Sequence, residues 1–136
     1  MNPVQQYHFI IIDDSPFDCL IAEKVVQNAQ RHRSIKSFQD AQKALAYIAQ
    51  GGNQDHHAKN IILLDIQMPV MNGFAFLDQF EALPEEVTGN YVVFFTTSSI
   101  NANDITRSGN YRSVRHFLNK PLTTVNFRQL IDQLVF

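Results

Sequence analysis

The chain has 136 residues, 45% of them hydrophobic and 18% charged, with five glycines and five prolines, a composition that excludes a disordered or collagen-like chain. A formal net charge of −2 supplies no basic footprint for nucleic acid, and the single cysteine, Cys19, excludes an internal disulfide and a cysteine-rich zinc site and fits a reducing compartment. No stretch approaches the ~20 apolar residues of a membrane span and the N-terminus lacks a basic leader, so a cytoplasmic protein of one domain, residues 1–136, is expected.

Residues 7–12, "YHFIII", are aromatic and β-branched and run into Asp13 and Asp14, the pattern of a buried strand. Ser15 then offers an N-cap and Pro16 a first helical residue, and Phe17, Leu20, Ile21 and Val25 recur at helical spacing. Residues 34–38, "SIKSF", alternate as a half-buried or edge strand does. Asp40 opens a second helix whose apolar face is Ala41, Ala44, Leu45 and Ile48, stopped by Gly51-Gly52.

After a polar loop, "NIILLD" is a short continuous apolar run ending at Asp65, and Asn72-Gly73 leads into a helix with Phe76, Leu77, Phe80 and Leu83 on one face. "YVVFFT" predicts the fourth strand. The polar segment behind it predicts a short, mobile helix anchored by Ala102 and Ile105. "VRHFLN" predicts the fifth strand, Lys120-Pro121 breaks the chain, and Phe127, Leu130, Ile131 and Leu134 face the core from a last helix.

Strict alternation with apolar strands implies an α/β fold: a doubly wound, five-stranded parallel sheet covered by five helices. Ligands of such sheets bind beyond the carboxyl ends of the strands. Those ends carry Asp13 and Asp14, Asp65, Thr96 and Thr97, and Lys120. Each aspartate taken singly also fits a strand terminus or a helix cap. Three carboxylates at one sheet edge repel one another and call for a cation. Oxygen ligands without a clustered Cys or His suit Mg2+, which takes one or two carboxylates and keeps waters and phosphate oxygens. Lys120 adds a positive point charge, and a hydroxyl from Thr97, with Thr96 or Ser98 as register alternatives, suits a phosphoryl oxygen. The chemistry expected is formation and hydrolysis of an aspartyl phosphate.

The stretches "IIIDDS", "LLDIQMPVMNG", "TTSS" and "FLNKPL", in that order, resemble the acidic pair, phosphoacceptor motif, switch hydroxyl and Lys-Pro turn of response regulator receiver domains of two-component systems, in the single-domain, chemotaxis-regulator-like form. The resemblance covers essentially the entire chain. It implies the flavodoxin-like strand order 2-1-3-4-5, phosphorylation of Asp65, and a Mg2+ ion held by Asp14, Asp65, the backbone carbonyl of Gln67 and, often through water, Asp13. It further implies that Thr97 turns toward the phosphoryl group, that Phe117 changes rotamer with the switch, and that Lys120-Pro121 is a cis peptide.

Ser98, where a small residue such as Ala is usual, and the polar fourth helix depart from the family's commonest pattern. Phe117 lacks the hydroxyl of a Tyr, so a switch there runs on packing. Implied partners are a sensor histidine kinase or histidine phosphotransfer protein as donor, and an effector protein reading the fourth helix, fifth strand and fifth helix. A chain of this length acts through other proteins, as a free-standing relay or as a domain of a longer chain, and catalyses only its own phosphorylation and dephosphorylation.

Three other classes fit less well. Aspartyl-phosphate phosphatases resemble one another in a second acid two residues past the nucleophile, where this chain has Gln67. A flavodoxin-like cofactor binder needs a Gly/Ser/Thr-rich phosphate loop, where this chain has "DDSPFD". A phosphorylation-independent docking module has no need of intact acidic, hydroxyl and lysine positions. His56 and His57 read as a solvated loop and Cys19 as a small helical residue.

Overall fold

The structure is a computed structural model and describes residues 4–53 and 55–136. Five strands, β1 (Tyr7–Ile12), β2 (His32–Phe38), β3 (Asn60–Asp65), β4 (Tyr91–Thr97) and β5 (Val114–Asn119), pair in parallel in the order β2-β1-β3-β4-β5. The helices are α1 (Pro16–Ala29), α2 (Ala41–Ala49), α3 (Gly73–Phe80), α4 (Glu85–Thr88), α5 (Ala102–Ser108) and α6 (Thr124–Asp132). Among the described residues six helices thus stand where five were expected. The extra one, α4, is a single turn begun by Pro84, whose carbonyl accepts from the N–H groups of Val87 and Thr88; four residues are too few for hydrophobic periodicity to register.

β1, β3 and β4 are buried along their whole length, as helices on both faces require. Side chains alternate between two cores. One holds Ile10, Ile62, Leu64, Phe95, Phe76, Leu77 and Phe80 under α2 and α3; the other holds Phe9, Ile11, Leu63, Phe94, Phe127 and Ile131 under α1 and α6. β2 is an edge strand with Arg33, Ser34 and Lys36 exposed.

Two expected helix faces are turned. In α1 the buried stripe is Cys19, Ala22, Val25, Val26 and Ala29, while Phe17 and Leu20 are 69% and 51% exposed. Small side chains let the helix lie close to β1 and α6. In α5 the expected anchors Ala102 and Ile105 are exposed. The helix is held instead by the Arg107 guanidinium 4.3 Å over the Phe74 ring, and Ser108 can be buried because its hydroxyl is satisfied within the helix, donating to the Ile105 carbonyl at 2.7 Å.

Candidate functional site at the carboxyl edge of the sheet

The reversal of strand order falls between β1 and β3, where crossovers leave in opposite directions and open a crevice. Ile12 pairs with Leu64 and Asp65 with Thr96, so Asp13 and Asp65 end adjacent strands side by side. Both are buried, at 4% and 5% exposure, and Asp14 is exposed. One carboxylate oxygen from each of the three lies within 4.8 Å of the others. The loop beyond Asp65 is kept tight by Gly73, whose N–H donates to the Ile66 carbonyl at 2.9 Å. Asn72 caps α3 by accepting from the Ala75 N–H.

Lys120 reaches this cluster from the end of β5, and its peptide bond to Pro121 is cis. Its Nζ donates to Asp13 Oδ2 at 2.7 Å and to Asp18 Oδ2 at 3.0 Å and stands 3.5 Å from Asp65 Oδ1. Burial opposes the ammonium charge, but its hydrogen bonds to Asp13 and Asp18 outweigh it and hold the Lys120 pKa above its ordinary value. Burial and then the Asp13 charge push the Asp65 carboxyl up to about 6, against the opposing pull of Lys120 and the Gln67 N–H. Burial and Asp13 thus outweigh Lys120 at Asp65, and a carboxyl so perturbed in a crevice is a candidate functional group.

The donor set fits a hard divalent cation. All candidate ligands are oxygens, and Asp14 projects at the exposed side of two buried acids. Both Asp13 oxygens are already engaged, Oδ1 by the Ser15 N–H and Oδ2 by Lys120, leaving Asp13 better disposed to a cation's hydration shell than to direct contact. Gln67 is exposed in the loop just past Asp65, and its N–H donates to Asp65 Oδ1 at 3.3 Å.

The two threonines separate by the period of the strand. Thr96 lines a cavity of about 310 Å³ with Asp13, Phe17, Lys120 and Leu122, whereas Thr97 lies on the opposite face with Phe95 and Phe117. The Thr97 hydroxyl donates to the Ser99 carbonyl and accepts the Ser99 N–H, both at 3.2 Å. Phe117 is half-buried, with its ring 5.4 Å from that of Phe95.

His56 and His57 are exposed, and among the described residues the one cluster of potential metal ligands is Asp13, Asp14 and Asp65. Cys19 is buried against the Asp13 carbonyl, and burial followed by the nearby acids pushes its thiol up to about 11, which leaves it unreactive. Asp18 is the site residue that the sequence concealed: its position three residues after Ser15 reads as helix capping.

No helix among the described residues is long and apolar enough to cross a membrane. A comparison with curated proteins returns no match. Among solved structures, the response regulator receiver protein from Dyadobacter fermentans DSM 18053 is 32% identical, with a TM-score of 0.79 over 92% of this chain and 94% of that one. Chemotaxis protein CheY4 from Vibrio cholerae is similar in fold at 18% identity, with a TM-score of 0.69 over 96% and 99% of the two chains. The phosphorylated cyanobacterial phytochrome response regulator RcpA matches in fold at 21% identity, with a TM-score of 0.70 over 93% and 89%. The family model of the response regulator receiver domain matches residues 9–132, and with the strand order and the acidic edge this places the chain in the response regulator receiver domain family.

Proposed function

We propose that the chain works in phosphorelay signalling by accepting a phosphoryl group on Asp65 from a phosphohistidine donor, a sensor histidine kinase or a histidine phosphotransfer protein. The observation that carries this reading is the grouping of one ionised, buried acceptor with two further carboxylates and a paired lysine at the switch point of the sheet. An Asp65 oxygen attacks phosphorus in line as the P–N bond breaks, the electron pair leaves with the imidazole nitrogen, and that nitrogen takes up a proton. Lys120, directly beside the acceptor, stabilises charge on the transferred oxygens. Asp14, Asp65 and the Gln67 carbonyl would hold Mg2+, with Asp13 reaching it through water, and such an ion would supply positive charge against the phosphoryl group and the carboxylates.

The signal leaves through Thr97. Its hydroxyl gives up the Ser99 turn for a phosphoryl oxygen, and Phe117, on the same face of the sheet, repacks against Phe95. The surface of α5, β5 and α6 that an effector protein reads changes with it. The protein catalyses its own phosphorylation and dephosphorylation and acts as one receiver unit over residues 1–136 of the cytoplasm's signalling machinery.

Incubation with Mg2+ and acetyl phosphate, followed by intact-mass measurement, tests the reading. The wild type gains one labile phosphoryl adduct and Asp65→Asn gains none. No adduct on the wild type, or an equal adduct on the variant, sinks it.

A further inference from the structure

Ser15 and Asp18 have the spacing of a capping box, in which the acid at the third helical position folds back onto the backbone N–H of the N-cap residue. Here that N–H donates to Asp13 Oδ1 instead, at 3.0 Å. Asp18 still receives its own cap bond from Ser15, through its backbone N–H at 3.2 Å, while its carboxylate turns away and accepts from Lys120. An acid in a helix's first turn has thus been recruited into the site across 102 residues of chain.

An ammonium has three N–H donors on a flexible stem, so its position is set by whatever holds it. Lys120 gives its two short contacts to Asp13 and Asp18, and Asp65 lies farther off at 3.5 Å. The two holders differ. The Asp13 side chain is 6% exposed and that of Asp18 is 35% exposed, so water weakens the second tie more and makes it the one that can be exchanged.

We propose that Asp18 is a positioning residue that holds the Lys120 ammonium back from Asp65 in the resting site and yields it to the incoming phosphoryl group. This rests on the reading of Asp65 as phosphoacceptor. Asp13 keeps Lys120 in the site throughout, and Asp18 sets how much of its charge the acceptor feels before transfer.

The test measures adduct formation from acetyl phosphate with Mg2+, by intact mass, in the wild type, Asp18→Asn, Asp18→Ser, Asp18→Glu and Lys120→Ala, and in Asp18→Asn combined with Lys120→Ala. The neutral variants are expected to react faster, by up to about fivefold, the strength of a partly exposed ion pair. Asp18→Glu returns toward the wild-type rate. In the Lys120→Ala background the Asp18 change has no effect, because a positioning residue acts only through the group it positions. Equal or slower rates in both neutral variants, or the same acceleration with and without Lys120, overturn the inference while leaving the acceptor reading intact. No adduct on the wild type overturns both.

Discussion

Lys120 stands 2.7 Å from Asp13 and 3.5 Å from Asp65, so the lysine serves the buried acid that is not the proposed acceptor first. Asp65 is left ionised at a net cost, its pKa raised to about 6 by burial and by Asp13. Because the folded value lies above the unfolded one, the folded state holds a proton here that the unfolded state has released. That contribution to stability is complete below the unfolded pKa near 4 and is lost as pH rises through about 6. Asp65→Asn should therefore be more stable than the wild type at pH 8, by on the order of 2 kcal/mol. The gain should fade as pH drops to about 4. Urea denaturation of both proteins across that range checks it; a gain independent of pH contradicts it.

If the three grouped carboxylates hold Mg2+ as proposed, stability should respond to divalent ions. Mg2+ should raise the thermal midpoint by mass action on the folded state, and chelation should reverse the rise. Asp14, the exposed member of the three, is expected to carry most of this effect. Asp14→Ala should weaken Mg2+ binding about tenfold or more, measured by calorimetric titration. Unchanged affinity would move the ion elsewhere.

Gly73 holds its place by close approach. A Cβ there would meet Phe95 Cε1 at 2.7 Å and the Asp65 carbonyl oxygen at 2.9 Å, one an aromatic ring packed in the core and the other backbone. Gly73→Ala should cost about 1–3 kcal/mol and should also slow reaction at Asp65, since relief of the clash displaces the acceptor's own peptide. A variant destabilised as expected yet reacting at the wild-type rate would separate the two effects and refute the second.

Val70 offers the opposite opportunity. It has φ 68° and 99% exposure, at the centre of a tight turn in which the Met71 N–H donates to the Pro69 carbonyl at 2.7 Å. A β-branched residue in the left-handed region is strained, and nothing is gained by its burial. Val70→Asn or Val70→Gly should stabilise the protein by roughly 0.5–1 kcal/mol, read as a higher denaturation midpoint with unchanged slope. A loss of stability would show that the turn is held by its neighbours rather than merely tolerated.

Much of the fold was legible because strand and helix alternate with different apolar periods. "YHFIII", "NIILLD" and "YVVFFT" are buried at every position, and each ends at a residue of the carboxyl edge. The grouping of Asp13, Asp14, Asp65 and Lys120 followed from topology alone, since parallel strands deliver their ends to one side. What escaped notice was decided by tertiary contact. The rotation of α1 follows from its small side chains, and periodicity favoured the larger Phe17 and Leu20. The anchoring of α5 comes from a cation over a ring, which a search for apolar residues does not register. The Thr97 bond to Ser99 is local, but nothing in "TTSS" says which hydroxyl closes that turn.

The open edge of the sheet at β2 has a consequence beyond the site. A strand with one unpaired side presents free N–H and C=O groups to any passing chain, most readily to its own copies at high concentration. Arg33 and Lys36 line this strand, exposed, with Lys36 leaning over the Tyr47 ring at 4.7 Å. Arg33 is already paired with Asp55 at 3.0 Å, so Lys36 is the charge that a second β2 laid alongside must accommodate, and an exposed lysine on an edge strand discourages the sheet from growing beyond five strands.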